Sequence, residues 1–133
     1  MTGSPDIAAD LIDEILDDKE IASGNIQNSK ILALKTDKAK WLGEAGDAKA
    51  GLQLIDQVLR DTKRLSKEVP PTQALKTQEC KVKLLQLSGD EKSALELIER
   101  LIDEPHDKYS TKKNRILDEL ADMKSKILET SNN

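Results

Sequence analysis

The chain repeats itself at a spacing of 43 residues, and this repeat limits the folds that it can adopt. Shifted by that spacing, three segments align: GSPDIAADLIDEILDD from Gly3, GDAKAGLQLIDQVLRD from Gly46 and GDEKSALELIERLIDE from Gly89. In each segment the apolar residues fall at i, i+3, i+4, i+7 and i+8, the spacing of one face of an α-helix. Each apolar set begins with a small residue that lets a neighbouring helix approach closely, namely Ala8, Gly51 and Ala94.

The ends of these helices repeat as well. Ser4, Asp47 and Asp90 stand where a side-chain oxygen can accept a hydrogen bond from a free amide of the first helical turn. Gly46 and Gly89 precede two of these caps and can adopt the left-handed conformation that closes the preceding helix. Asn132 occupies the third equivalent position. The repeating unit is therefore predicted to be a helix, a tight turn and a second helix.

Composition favours helices throughout, because only 2% of the residues are aromatic and the apolar residues are mainly aliphatic. One hairpin cannot bury its own apolar face, so neighbouring hairpins must stack. We expect one all-α domain over residues 1–133, with repeats starting near 3, 46 and 89. The alternative is an ordinary six-helix bundle whose internal similarity is accidental. The predicted helices span roughly residues 5–20, 28–45, 47–66, 72–88, 90–104 and 110–130.

The segment QLSGDEKSALELIERLIDEP, from Gln86 to Pro105, resembles the second half of a tetratricopeptide repeat, with Gly89, Asp90, Ala94 and Pro105 at that motif's positions. The period of 43 residues differs from the usual period of about 34, and the usual aromatic residues are nearly absent. KAKWLGEAGD, from Lys38, is also similar to the helical repeats in the FAT region of phosphatidylinositol-3-kinase-related kinases. Both resemblances imply a right-handed α-solenoid of antiparallel helix pairs that holds segments of partner proteins.

The charge distribution argues against nucleic acid as a partner. The net charge is −4, and the first 20 residues contain seven acidic residues and only one lysine. Nucleic-acid binding draws most of its affinity from neutralising phosphates with basic side chains. The chain has no apolar run long enough to cross a membrane and no basic-then-apolar amino terminus. With a single cysteine, Cys80, these features predict a cytoplasmic or nuclear protein that does not insert into membranes.

The candidates for chemistry are few. His106 is the only histidine, so a cluster of His and Cys metal ligands is not expected. A histidine phosphotransfer bundle using His106 is the enzyme-like alternative, although Pro105 places it in a predicted loop. Cys80 has basic neighbours that could lower its pKa, but a partly buried structural role is favoured. Trp41 aligns with apolar positions of the other copies and is predicted to belong to the core.

The acidic residues of the first helix follow helical spacing, with no calcium-binding loop. We predict a solvated face for them, and the alternative is a helix that docks on a basic groove. They are Asp6, Asp10, Asp13, Glu14, Asp17 and Asp18.

The candidate partner-binding surface is a basic patch that would receive an acidic peptide. Its first four members also have a structural explanation, because positive charge stabilises the carboxyl-terminal end of a helix. The patch consists of Arg60, Lys63, Arg64, Lys67, Lys76, Lys81 and Lys83.

The sequence therefore predicts a protein-interaction or scaffolding module with no catalytic, cofactor-binding or metal-binding residue. A structural piece of a larger α-solenoid is the alternative within the same class.

Overall fold

The computed structural model describes residues 10, 12–14, 28–103 and 111–131 of the chain. The described residues form five helices with defined bounds, and residues 10 and 12–14 are also helical. All regular elements in these ranges are α-helices, so the predicted all-α class is confirmed. Each bound lies within two residues of its predicted position. The helices are α1 (Asn28–Glu44), α2 (Ala48–Arg64), α3 (Pro71–Leu87), α4 (Glu91–Asp103) and α5 (Thr111–Ser131).

The turns that join α1 to α2 and α3 to α4 have the same conformation. Gly46 and Gly89 have φ values of +99° and +88°, the left-handed region that glycine adopts without a Cβ clash. The amides of Asp47 and Asp90 each donate a 2.9 Å hydrogen bond to a carbonyl five residues earlier. These bonds close both helices in the Schellman motif. The equivalent Asn132 lies outside the described residues.

Both second helices are capped in the predicted way. Asp47 Oδ1 accepts a 3.1 Å hydrogen bond from the amide of Ala50, and Asp90 Oδ1 accepts a 3.2 Å bond from the amide of Ser93. The bonds from Ser93 also hold the pKa of Asp90 below its usual value. Each cap fixes the residue at which its helix begins. The third predicted cap, Ser4, lies outside the described residues.

The helices pack in two layers. In the first layer α1 packs against α3, and α3 packs against α5. In the second, α2 packs against α1 and α3, and α4 packs against α3 and α5. Helix α3 therefore lies at the centre and contacts all four of the others. Accordingly, among the residues whose burial is described, α3 contributes the largest number of buried side chains.

The repeated apolar positions lie in the core. Ile12, Ile55 and Ile98, which are spaced by 43 residues, are all buried, and the last two are fully inaccessible to solvent. The neighbouring positions are less uniform, because Leu97 is buried and Leu54 is half-buried. Helices α2 and α4 thus bury the same face, as the sequence pattern predicts.

The small residue at the start of α2 permits a close approach of three helices. A Cβ atom built on Gly51 would lie 2.7 Å from the carbonyl oxygen of Ala39 and 2.8 Å from Cδ2 of Leu84. A Cβ on Gly43 would lie even closer to the same Leu84 methyl group. The side chain of Leu84, fully buried, therefore fills the space that the two glycines leave between α1 and α2.

We expect the Gly51→Ala substitution to destabilise the fold by about 1 to 3 kcal/mol, because a backbone carbonyl blocks the new methyl group. At an unobstructed helix position the same change would instead stabilise by about 0.5 to 1 kcal/mol. Urea unfolding followed by circular dichroism measures the difference. Gln53→Ala, an exposed position on α2, serves as the control and should change the free energy of unfolding by less than about 0.5 kcal/mol. A stabilised Gly51→Ala protein would contradict the close packing.

Candidate functional site

Three ion pairs recur along the chain at the repeat spacing. Each joins a carboxylate of one hairpin's second helix to a lysine of the helix that follows, and in every case the lysine lies 25 residues further along the chain. The pairs and their nitrogen–oxygen distances are Asp13–Lys38 at 2.5 Å, Asp56–Lys81 at 2.8 Å and Glu99–Lys124 at 3.6 Å.

Each ion pair joins residues at the same two positions of the 43-residue repeat. All six side chains are partly exposed, so each pair contributes no more than about 1 kcal/mol to stability. Their main effect is to favour one alignment of neighbouring helices, because a shifted alignment would separate the opposite charges. We did not predict them from the sequence, although the 43-residue spacing of the charged residues carries the signal.

A second charged feature of the same periodicity lies on the first layer. Lys40, Lys83 and Lys126 occupy equivalent positions of α1, α3 and α5, each 43 residues from the next. All three are exposed, and Lys126 forms a 3.2 Å ion pair with Asp122. We call these three residues the lysine ladder. It places one positive charge on each helix of the layer.

A groove runs between α1 and α3 on the side of the layer that carries Lys40 and Lys83. It comprises two adjoining depressions of about 290 and 440 Å³, which share Lys40, Cys80 and Lys83. Toward one end the wall is apolar, with Leu87 56% exposed. We call this the α1–α3 groove; the residues used below are Thr36, Asp37, Lys40 and Glu44 of α1 and Lys76, Glu79, Cys80, Lys83 and Leu87 of α3.

Hydrogen bonds across the groove hold its two walls together. Gln73 Nε2 donates a 2.7 Å bond to the carbonyl of Ser29, and the hydroxyls of Thr36 and Thr77 lie 3.4 Å apart. The thiol of Cys80 donates to the carbonyl of Thr36 at 3.8 Å. These contacts fix the separation of α1 and α3, so the groove is formed before any ligand arrives.

The members of the predicted basic patch do not all lie on the same side of α3. Arg60, Lys63 and Arg64 are exposed at the end of α2, and Lys67 follows in the turn. The pairing of Lys81 with Asp56 directs it toward the second layer. Only two members, Lys76 and Lys83, line the α1–α3 groove.

Glu79 is the unusual residue of the groove. Its side chain is buried, with 5% of the residue exposed, and one carboxyl oxygen, Oε2, makes no hydrogen bond to the described residues. Burial, followed by a hydrogen bond to the Glu119 carboxyl of α5, raises the pKa of Glu79 to about 7, although Lys83 and Lys76 oppose the shift. The same hydrogen bond lowers the pKa of Glu119. When Glu79 is protonated, its carboxyl group therefore keeps the proton and donates a hydrogen bond to the Glu119 carboxylate.

The other single candidates take structural positions or lie outside the described residues. Cys80 is buried, and burial raises the pKa of its thiol to about 11 despite the nearby Lys83, so it is not activated as a nucleophile. Trp41 is only half-buried, with the Lys40 ammonium 5.0 Å from its ring centre, whereas its counterpart Leu84 is fully buried. His106, the residue of the phosphotransfer alternative, lies outside the described ranges.

Two further kinds of site are absent from the described ranges. No three His, Cys, Asp or Glu side chains there are grouped so that they could hold a metal ion. No helix within those ranges is both long enough and apolar enough to cross a membrane.

Comparison with known proteins adds no relative: no family model, no curated protein and no solved structure matches this chain.

We expect reversal of one repeated ion pair to reveal coupling between layers. Asp56→Lys should lower the free energy of unfolding by about 0.5 to 1 kcal/mol, since it places two positive charges together. Adding Lys81→Asp should restore part of that loss, and a double-mutant cycle from chemical denaturation measures the coupling. Additive effects of the two substitutions would show that the pair does not couple the helices.

The raised pKa of Glu79 predicts a pH-dependent stability. Between its ordinary value of 4.5 and about 7, the folded chain binds the proton that the unfolded chain has released. This group's contribution to the free energy of unfolding therefore falls as pH rises through that window and levels off above it. Glu79→Gln should gain stability relative to the unmodified chain between about pH 5 and about pH 8 in denaturation measurements. Glu129→Gln, which removes an exposed carboxyl group of α5, is the control. Parallel curves for Glu79→Gln and the unmodified chain would contradict the assignment.

Proposed function

We propose that the chain is a non-catalytic protein-interaction module, built as a short right-handed α-solenoid of tetratricopeptide-like hairpins, whose α1–α3 groove holds an acidic peptide segment of a partner protein. The observation that carries this proposal is the groove itself, a cleft between two equivalent helices with a lysine at the same position of each. We further propose that the protein acts in the cytoplasm or nucleus, where a free thiol such as Cys80 stays reduced.

The solenoid arrangement is supported by the way in which each hairpin meets the next. Successive first helices pack side by side in one layer, and each second helix packs against its own first helix and the following one. The ion pairs at equivalent positions and the identical turns at Gly46 and Gly89 accord with a repeated geometry. A stack of this kind presents one row of helices on a continuous face, which suits an extended peptide.

The charge of the groove favours an acidic occupant. Lys40, Lys76 and Lys83 line it, against the exposed carboxylates Asp37 and Glu44. The buried Glu79 also lines it, and the groove keeps an excess of positive charge while that carboxyl group is protonated. The excess of positive charge contrasts with the net charge of −4 for the whole chain. An acidic segment would thus be attracted to this face and repelled by the acidic residues elsewhere.

The spacing of the ladder suggests how the acidic side chains are arranged. Packed helices lie about 8 to 10 Å apart, and an extended peptide advances about 3.3 Å per residue. Acidic residues about three positions apart would therefore meet successive ladder lysines. An apolar side chain of the peptide can contact the exposed Leu87 at the apolar end of the groove.

The proposal is tested with an acetylated peptide in which Asp recurs about every third position among Leu and Ala residues, measured by isothermal titration calorimetry. We expect Lys40→Glu with Lys83→Glu to weaken binding about tenfold or more, because repulsion replaces attraction at two contacts. The same peptide with Asn in place of Asp should bind poorly.

The matched control is Lys63→Glu with Lys67→Glu, which makes the same change in net charge on exposed residues outside the groove. This variant should bind the Asp peptide nearly as the unmodified chain does, apart from long-range effects that salt screens. Equal weakening in both double variants would show that only net charge matters. Failure of the unmodified chain to bind the peptide would refute the acidic-segment proposal.

A further inference from the structure

The repeat position that Glu79 occupies has a different environment in each of the three copies of the repeat. Its equivalents are Thr36 on α1, which is half-buried, and Asp122 on α5, whose side chain is 67% exposed. Glu79 alone is buried, because α3 is flanked by a helix on each side within its layer. A carboxyl group is costly to bury when one of its oxygens lacks a partner, and Oε2 lacks one among the described residues.

Glu79 also connects two parts of the molecule. It lines the α1–α3 groove, and it interacts with Glu119 of α5 on the other side of α3. A separate depression lies on the side of α3 that faces the second layer, and its charged lining residues are Asp56, Lys81, Glu96 and Arg100. The charged groups that face Glu79 or share its groove are Lys76 and Lys83 of α3, Asp37 and Lys40 of α1, and Glu119 of α5, with Arg115 of α5 acting on Glu119.

We propose that protonation of Glu79 controls the affinity of the α1–α3 groove for an acidic segment, with tight binding when the carboxyl group is neutral and weaker binding when it is ionised. This inference rests on the proposed function and adds a regulatory residue to the same site. Neutral Glu79 leaves the three groove lysines opposed by Asp37 and Glu44 alone. Ionised Glu79 adds a negative charge beside Lys76 and Lys83, where the acidic side chains of the partner would bind.

The ionised state also disturbs the contact between α3 and α5. Neutral Glu79 donates a hydrogen bond to Glu119, whereas two ionised carboxylates at the same place repel each other. Both effects act in the same direction, since the ionised residue opposes the ligand directly and loosens the wall that carries Lys76 and Lys83. Because the pKa of Glu79 is about 7, the change falls within the neutral pH range.

The test measures the dissociation constant of the Asp-containing peptide by calorimetry at about pH 6 and about pH 8, where neither Asp nor an acetylated amino terminus titrates. For the unmodified chain we expect the dissociation constant to rise about threefold to tenfold across this range, the effect of one nearby charge in water. For Glu79→Gln, which mimics the neutral carboxyl, the ratio of the two constants should be close to one. Glu129→Gln, with one exposed carboxyl removed elsewhere on α5, should keep the ratio of the unmodified chain.

Two results would overturn the inference alone, while the peptide still binds and depends on Lys40 and Lys83. One is a pH ratio in Glu79→Gln equal to that of the unmodified chain. The other is a carboxyl carbon titration by NMR in which Glu79 ionises at its ordinary value of 4.5. Absence of peptide binding at both pH values would overturn the proposed function and this inference with it. Circular dichroism at both pH values verifies that each variant is folded.

Discussion

The fold depends on the burial of one apolar face on α2 and on α4. Each of these helices presents its apolar face to two helices of the first layer. The partner helix of its own hairpin therefore cannot bury that face alone. Ile55 and Ile98 sit at the centre of these contacts and are inaccessible to solvent. A fully buried isoleucine contributes about 1.5 to 3 kcal/mol relative to an exposed one. Removal of one hairpin would therefore expose apolar side chains that the next hairpin contacts.

Much of the helical framework could be predicted because its determinants are local. Apolar spacing located the helices, and Gly46, Gly89, Asp47 and Asp90 located the turns between them, since left-handed backbone and side-chain caps depend on adjacent residues. The groove could not be placed in the same way. Whether a face of α1 or α3 stays open depends on how the helices of the first layer pack, and that arrangement is set by contacts distant in sequence.

The basic patch illustrates the same limit. Lys81 and Lys83 are only two residues apart, but residues two positions apart on a helix do not face the same side. One therefore pairs with Asp56 of the second layer and the other lines the groove. Grouping lysines by closeness in sequence combined two faces of α3. Grouping them by the repeat spacing would have separated Lys81 from Lys83, because each belongs to its own series of equivalent lysines.

Strict repetition of sequence does not give strict repetition of environment. The position of Thr36, Glu79 and Asp122 is at least partly exposed on α1 and α5, where Thr36 is half-buried and Asp122 is largely exposed. On α3 the same position is covered from both sides, so a polar group there must be neutralised or paired. Glu79 achieves this by holding a proton near neutral pH and sharing it with Glu119. An apolar side chain would fill the position at a lower cost in free energy, and local choices that oppose the fold tend to mark functional positions. The central copy of the repeat is thus where the proposed binding and proton uptake can be linked.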